Sequence, residues 1–87
     1  MDFEAFKGKL EEQLTFPSVY MFKFIVLASN QKIAQVENLF SEEADILQKV
    51  SNQGKYISIT AKIVVMSVDE IIDIYKGAAS IEGVMAL

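Results

Sequence analysis

The sequence contains no histidine, no cysteine, no tryptophan and no arginine. Each absence removes a chemistry. Without cysteine there are no disulfides, thiol nucleophiles, iron–sulfur clusters or cysteine zinc sites. Without histidine there is no Ser-His-Asp triad, no imidazole acid–base pair and no histidine metal shell. Lack of arginine removes the bidentate phosphate clamp, and a pI near 4.6 opposes a nucleic-acid backbone. Long apolar runs are missing too: the longest uncharged stretch, Gln13 to Phe22, is ten residues and contains the one proline, Pro17. A transmembrane helix needs about 20 such residues. Asp2 and Glu4 stand where a secretory signal would be basic. The expectation is a cytoplasmic protein with no cofactor, no nucleic-acid partner and no membrane contact.

What is present is apolar. Hydrophobic residues make up 52% of the 87, above the ~45–50% usual for soluble domains even with glycine included. A chain this short buries only about 60% of its unfolded surface. It cannot readily hide that surplus alone, so a homo-oligomer or a protein partner is expected.

Phe3, Phe6, Leu10 and Leu14 recur at helical spacing after Asp2, a suitable N-cap, and Pro17 ends the segment. Gly8 weakens this helix by about 1 kcal/mol against alanine, which makes residues 1–15 an appendage needing support. Val19 to Ala28 reads as a strand with two largely apolar faces, the mark of a central position. Ser29 or Asn30 then caps a helix with the stripe Ile33, Val36, Leu39 and Phe40. Ala44–Ser51 and Lys55–Val65 alternate as strands around Asn52-Gln53-Gly54, a hairpin turn. The register that keeps the isoleucines together pairs Asp45 with Lys62, Leu47 with Thr60 and Lys49 with Ser58. Ser67 and Glu70 form a capping box for a helix striped by Ile71, Ile74, Tyr75 and Ala78, and Gly83–Leu87 reads as a last strand.

Residues 1–87 therefore read as one domain, βαββαβ after the N-terminal helix. Right-handed crossovers predict an α+β, ferredoxin-like two-layer sandwich with antiparallel sheet order 4-1-3-2 and both helices on one face. No linker or repeat interrupts it.

Several stretches form a distinctive pattern: Phe16-Pro17, Lys23 in the first strand, Gly54-Lys55-Tyr56-Ile57-Ser58, and Ile74-Tyr75 to Ile81-Glu82-Gly83-Val84. Across residues 14–87 they resemble the YbeD-like family of small bacterial proteins. The resemblance implies a ferredoxin-like fold, similar in shape to ACT regulatory domains, and implies no particular activity. ACT domains that bind amino acids usually have a small or Gly-containing turn between first strand and first helix; here Ala28-Ser29-Asn30-Gln31 has no glycine.

The candidate site is the open sheet face, carrying Met21, Lys23, Ile25 and Leu27 beside Tyr56, Ser58 and Lys62, with Leu47, Lys49 and Thr60 nearby. It suits a non-enzymatic regulatory or protein-binding module that self-associates or docks a partner. The alternative is a sensor in which the lysines hold a small anionic ligand. RNA recognition would want stacked aromatics, and only Tyr56 supplies one on that face. Glu42, Glu43 and Asp45 match no calcium loop. Glu37, Glu70 and Asp73 are the remaining carboxylates considered for acid–base chemistry, and a desolvated Lys23 for a Schiff base. The N-terminal helix is expected either to cover the open face or to leave it to a second molecule.

Overall fold

The computed structural model describes residues 2–87. Along them run α1 (Phe3–Gln13), β1 (Ser18–Leu27), α2 (Asn30–Glu37), β2 (Asp45–Val50), β3 (Tyr56–Val65), α3 (Val68–Ala79) and β4 (Met85–Ala86). Side-chain caps start all three helices. Asp2 Oδ1 accepts from the Glu4 and Ala5 N–H groups at 3.1 and 3.2 Å, and Ser29 Oγ from Lys32 N–H at 3.5 Å. Ser67 Oγ accepts from Glu70 N–H at 3.3 Å, while the Glu70 carboxylate reaches past the cap to Met66 N–H at 2.7 Å. The Asp2, Ser29 and Ser67 contacts satisfy N–H groups that the first helical turn leaves unpaired.

The strands form an antiparallel sheet in the order β2-β3-β1-β4, the 4-1-3-2 arrangement read from its other edge. The hairpin register is the one the isoleucines favour: Asp45 opposes Lys62, Gln48 opposes Ile59 and Val50 opposes Ile57. Gly54 closes the turn at φ 72°, a backbone conformation that other residues adopt at a cost. In β1 every second side chain turns to the helices, so Phe22, Phe24 and Val26 are buried. Phe22 opposes Ala61, whose small side chain leaves room for the ring.

Two elements end sooner than their patterns predict. The α2 helix stops at Glu37, and Leu39 and Phe40 follow in tight turns, their N–H groups donating to Val36 and Glu37 carbonyls at 3.1 Å. Both still pack on the core, so the apolar stripe marked burial correctly and helix length incorrectly. The predicted strand Gly83–Leu87 shrinks to two paired residues, Met85 and Ala86.

The N-terminal helix does not cover the open face. It lies against α3 in the helical layer, where Leu10 is buried and Phe6 meets the edge of Tyr75 at 5.3 Å. An ion pair between Lys7 and Asp69 at 3.0 Å and Lys76 over the Phe3 ring complete the contact. A face of α3 that the ferredoxin-like core leaves bare receives α1, with Tyr75 offering an aromatic ring there and Asp69 a charge. Nothing lies within 4 Å of where a side chain at Gly8 would point. Gly8→Ala should therefore raise stability by about 0.5–1 kcal/mol in urea unfolding, the helix-propensity gain with no steric cost.

Candidate functional site

Alternation puts the other parity of β1 and β3 on the side away from the helices. Met21, Lys23, Ile25 and Leu27 share that face with Tyr56, Ser58, Thr60 and Lys62. All seven candidate residues come together. The rows across the sheet are fixed by register: Met21 beside Lys62 beside Asp45, Lys23 beside Thr60 beside Leu47, Ile25 beside Ser58 beside Lys49, and Leu27 beside Tyr56. On the opposite flank Met85 joins Ile25, and Leu87 N–H donates to the Lys23 carbonyl at 2.9 Å.

The face is apolar to an unusual degree. Of the ten large hydrophobic side chains left exposed among the described residues, eight stand on it; Val50 and Met66 are the exceptions. Leu47 is 68% exposed, Val19 67% and Met85 62%. Monomeric proteins rarely leave such residues contiguous without a use. Sequence reasoning missed Val19, Val64, Met85 and Leu87. The first two carry the parity of Met21 and Lys62 and were legible by extending the alternation. A two-residue strand has no period to read, so Met85 and Leu87 were not.

The charges on this face are Lys23, Lys49 and Lys62 against Asp45, all exposed. Although Asp45 and Lys62 oppose each other, the ion pair seen among the described residues is Lys7–Asp69. Lys23, the residue considered for a Schiff base, is exposed on this face.

At the hairpin end of the face lies a shallow concavity of about 340 Å³, lined by Ile25, Lys49, Val50, Ser51, Asn52, Tyr56 and Ser58. Its two serine hydroxyls are engaged with the backbone: Ser51 Oγ accepts from Tyr56 N–H at 3.1 Å and Ser58 Oγ donates to the Lys49 carbonyl at 3.4 Å. Lys55 lies over the Tyr56 ring, 5.5 Å from its centroid.

Two of the three carboxylates considered for acid–base work are engaged elsewhere, and Asp73 stands exposed on α3. Glu37 accepts from Gln48 Nε2, and Glu70 from Met66 N–H. Among the described residues no three acidic side chains gather where they could hold a metal ion. No helix of the described residues is long and apolar enough to cross a membrane.

A ferredoxin-like α+β module with one helical layer and one bare, lysine-bearing sheet face is the class of protein this arrangement defines. The chain belongs to the family described as "Protein of unknown function (DUF493)", whose model matches residues 11–87, and the YbeD-like resemblance read from its motifs is borne out. A UPF0250 protein of Shewanella halifaxensis is 35% identical over 80 residues, which cover 87% of this chain and 91% of the relative. One from Shewanella amazonensis is 33% identical over 78 residues, covering 85% and 89%. No solved structure matches the chain.

Proposed function

We infer that this chain is a non-enzymatic docking module whose open sheet face binds a protein surface. The observation that carries the reading is the segregation of exposed apolar side chains onto that face, opposite the helices. Burial of apolar area would supply affinity at about 25 cal/mol/Å². Lys23, Lys62 and the hydroxyls of Ser58 and Tyr56 would set orientation.

Position-specific photocrosslinking in cells tests it. A photoreactive residue at Met21 or Leu47 should give adducts, and one at Asp73 on the exposed side of α3 should not. Equal labelling from both sides, or from neither, would remove the reading. Adduct mass separates occupants: twice the chain mass means a second copy, any other mass a different protein.

A second reading, a sensor of small anionic metabolites, draws on the concavity beside Lys49 and Tyr56. A ligand there at 100 times its Kd would add about 2.7 kcal/mol of stability by linkage. Melting temperatures should then rise with the right carboxylate or phosphate, and Lys49→Ala should abolish the rise. A flat response across such anions would dispose of it.

A further inference from the structure

Charge on the open face runs against charge on the rest of the chain. The whole carries a formal −4, yet three lysines and one aspartate make this face locally +2, which leaves −6 for everything else. Apolar and cationic side chains alternate across it: Met21, Ile25, Leu27 and Met85 on the β1–β4 side surround Lys23, and Leu47, Tyr56 and Val64 on the β2–β3 side surround Lys49, Lys62 and Asp45.

On this basis, and resting on the docking reading above, we propose that the occupant is an amphipathic helix of another protein, with an apolar stripe flanked by aspartate and glutamate. A second copy of the sheet is the poorer fit. Face-to-face pairing would set two groups of three lysines against each other with one aspartate apiece to offset them, and like charges in an interface are strongly discriminating. The layer logic favours a helix over a strand: a sheet face, unlike a sheet edge, is covered by helices or by another sheet. The ten residues of β1 span roughly 33 Å at ~3.3 Å per residue. A helix of about 20 residues has that length. Laid along β1, its apolar stripe would cover Met21, Ile25, Leu27 and Met85, and acidic residues on its flanks would reach Lys23, Lys49 and Lys62. The sandwich would then gain a third layer, its acidic residues offsetting the net positive charge of the face.

Two fluorescent synthetic peptides of about 20 residues test this by anisotropy against the full chain. They share one leucine–methionine stripe at helical spacing; one carries glutamate on the flanks, the other lysine. The acidic peptide should bind at least ~10-fold more tightly at low salt, and the gap should narrow in ~0.5 M salt. Lys23→Glu with Lys62→Glu should reverse the preference without changing the melting temperature, while Met21→Glu should weaken the acidic peptide. Equal binding, preference for the basic peptide, or no binding of either overturns the inference. So does light scattering that finds a dimer, or concentration-dependent growth, abolished by Met21→Glu. Open-face crosslinks to a foreign protein without peptide discrimination would leave the docking reading standing and the acidic partner refuted; no open-face crosslinks would refute the docking reading itself.

Discussion

Phe22→Ala is expected to remove about 3–5 kcal/mol of stability, the usual cost of deleting a buried aromatic ring. Domains of this kind have total stabilities of roughly 5–15 kcal/mol, and short ones sit near the lower end. The variant should therefore be marginally stable at best, with urea unfolding shifted to very low denaturant or lost. Phe22 is fully buried in a central strand, and its ring contacts Tyr20, Phe24, Phe40 and Tyr75 at centroid separations of 4.7, 6.3, 5.4 and 5.2 Å. These partners come from a strand, a turn and a helix, so no single element can move in to fill the space. Opposite stands Ala61, too small to close the cavity from the neighbouring strand. Phe22→Leu should retain much more stability because it keeps part of the volume. Val19→Ala, on the exposed face of the same strand, should change stability by no more than ~0.5 kcal/mol. If Phe22→Ala and Val19→Ala cost the same, the division of β1 into a core face and an open face is wrong.

That division is legible in the sequence because strands keep strict alternation. The hairpin register was readable for a stronger reason: a slip by one residue would have put Leu47 and Lys49 among the isoleucines and parted Asp45 from Lys62. Helix and strand ends were less legible. The α2 stripe continues through Phe40, but the chain leaves helical geometry after Glu37 and uses turns to bring Leu39 and Phe40 inward. A helical period reports which side chains are buried, and a compact turn can present the same side chains.

The seat of α1 was the feature that pattern could not decide. Phe3, Phe6, Leu10 and Leu14 announce a face that needs covering, but two bare surfaces competed for it, α3 and the open sheet. In the structure α1 takes α3: Leu10 is buried there, the Phe6 and Tyr75 rings meet in a T-shape, and Lys7 pairs with Asp69 at the surface. Once α1 is spent on α3, the surplus of hydrophobic residues becomes a bare sheet face. The candidate residues themselves were legible from parity. The contribution of Met85 and Leu87 to that face was not, since a two-residue strand has no period to read.

Tyr75 gives the chain a dependence on alkaline pH. Its side chain is nearly buried between α1 and the sheet, and its hydroxyl lies 3.1 Å from that of Tyr20. Burial, then the hydrogen bond with Tyr20, raises its ionisation well above the ordinary tyrosine range. In the unfolded chain the same phenol ionises near pH 10. Above that pH the folded state holds a proton that the unfolded state has released. The stabilisation is therefore complete below about pH 10 and is lost as pH climbs towards the folded value. One proton sets the limit at about 1.4 kcal/mol per pH unit, which is roughly 5–10 °C in melting temperature for a domain of this length. Lys7, raised by its hydrogen bond and charge contact with Asp69, works in the same direction from the surface. Tyr75→Phe leaves Lys7 in place and so isolates the phenol. At neutral pH the variant should lose about 1 kcal/mol with the hydrogen bond. Between pH ~9 and ~11 its melting temperature should fall less steeply than that of the parent chain. Parallel slopes would mean that the Tyr75 proton is not what folding retains.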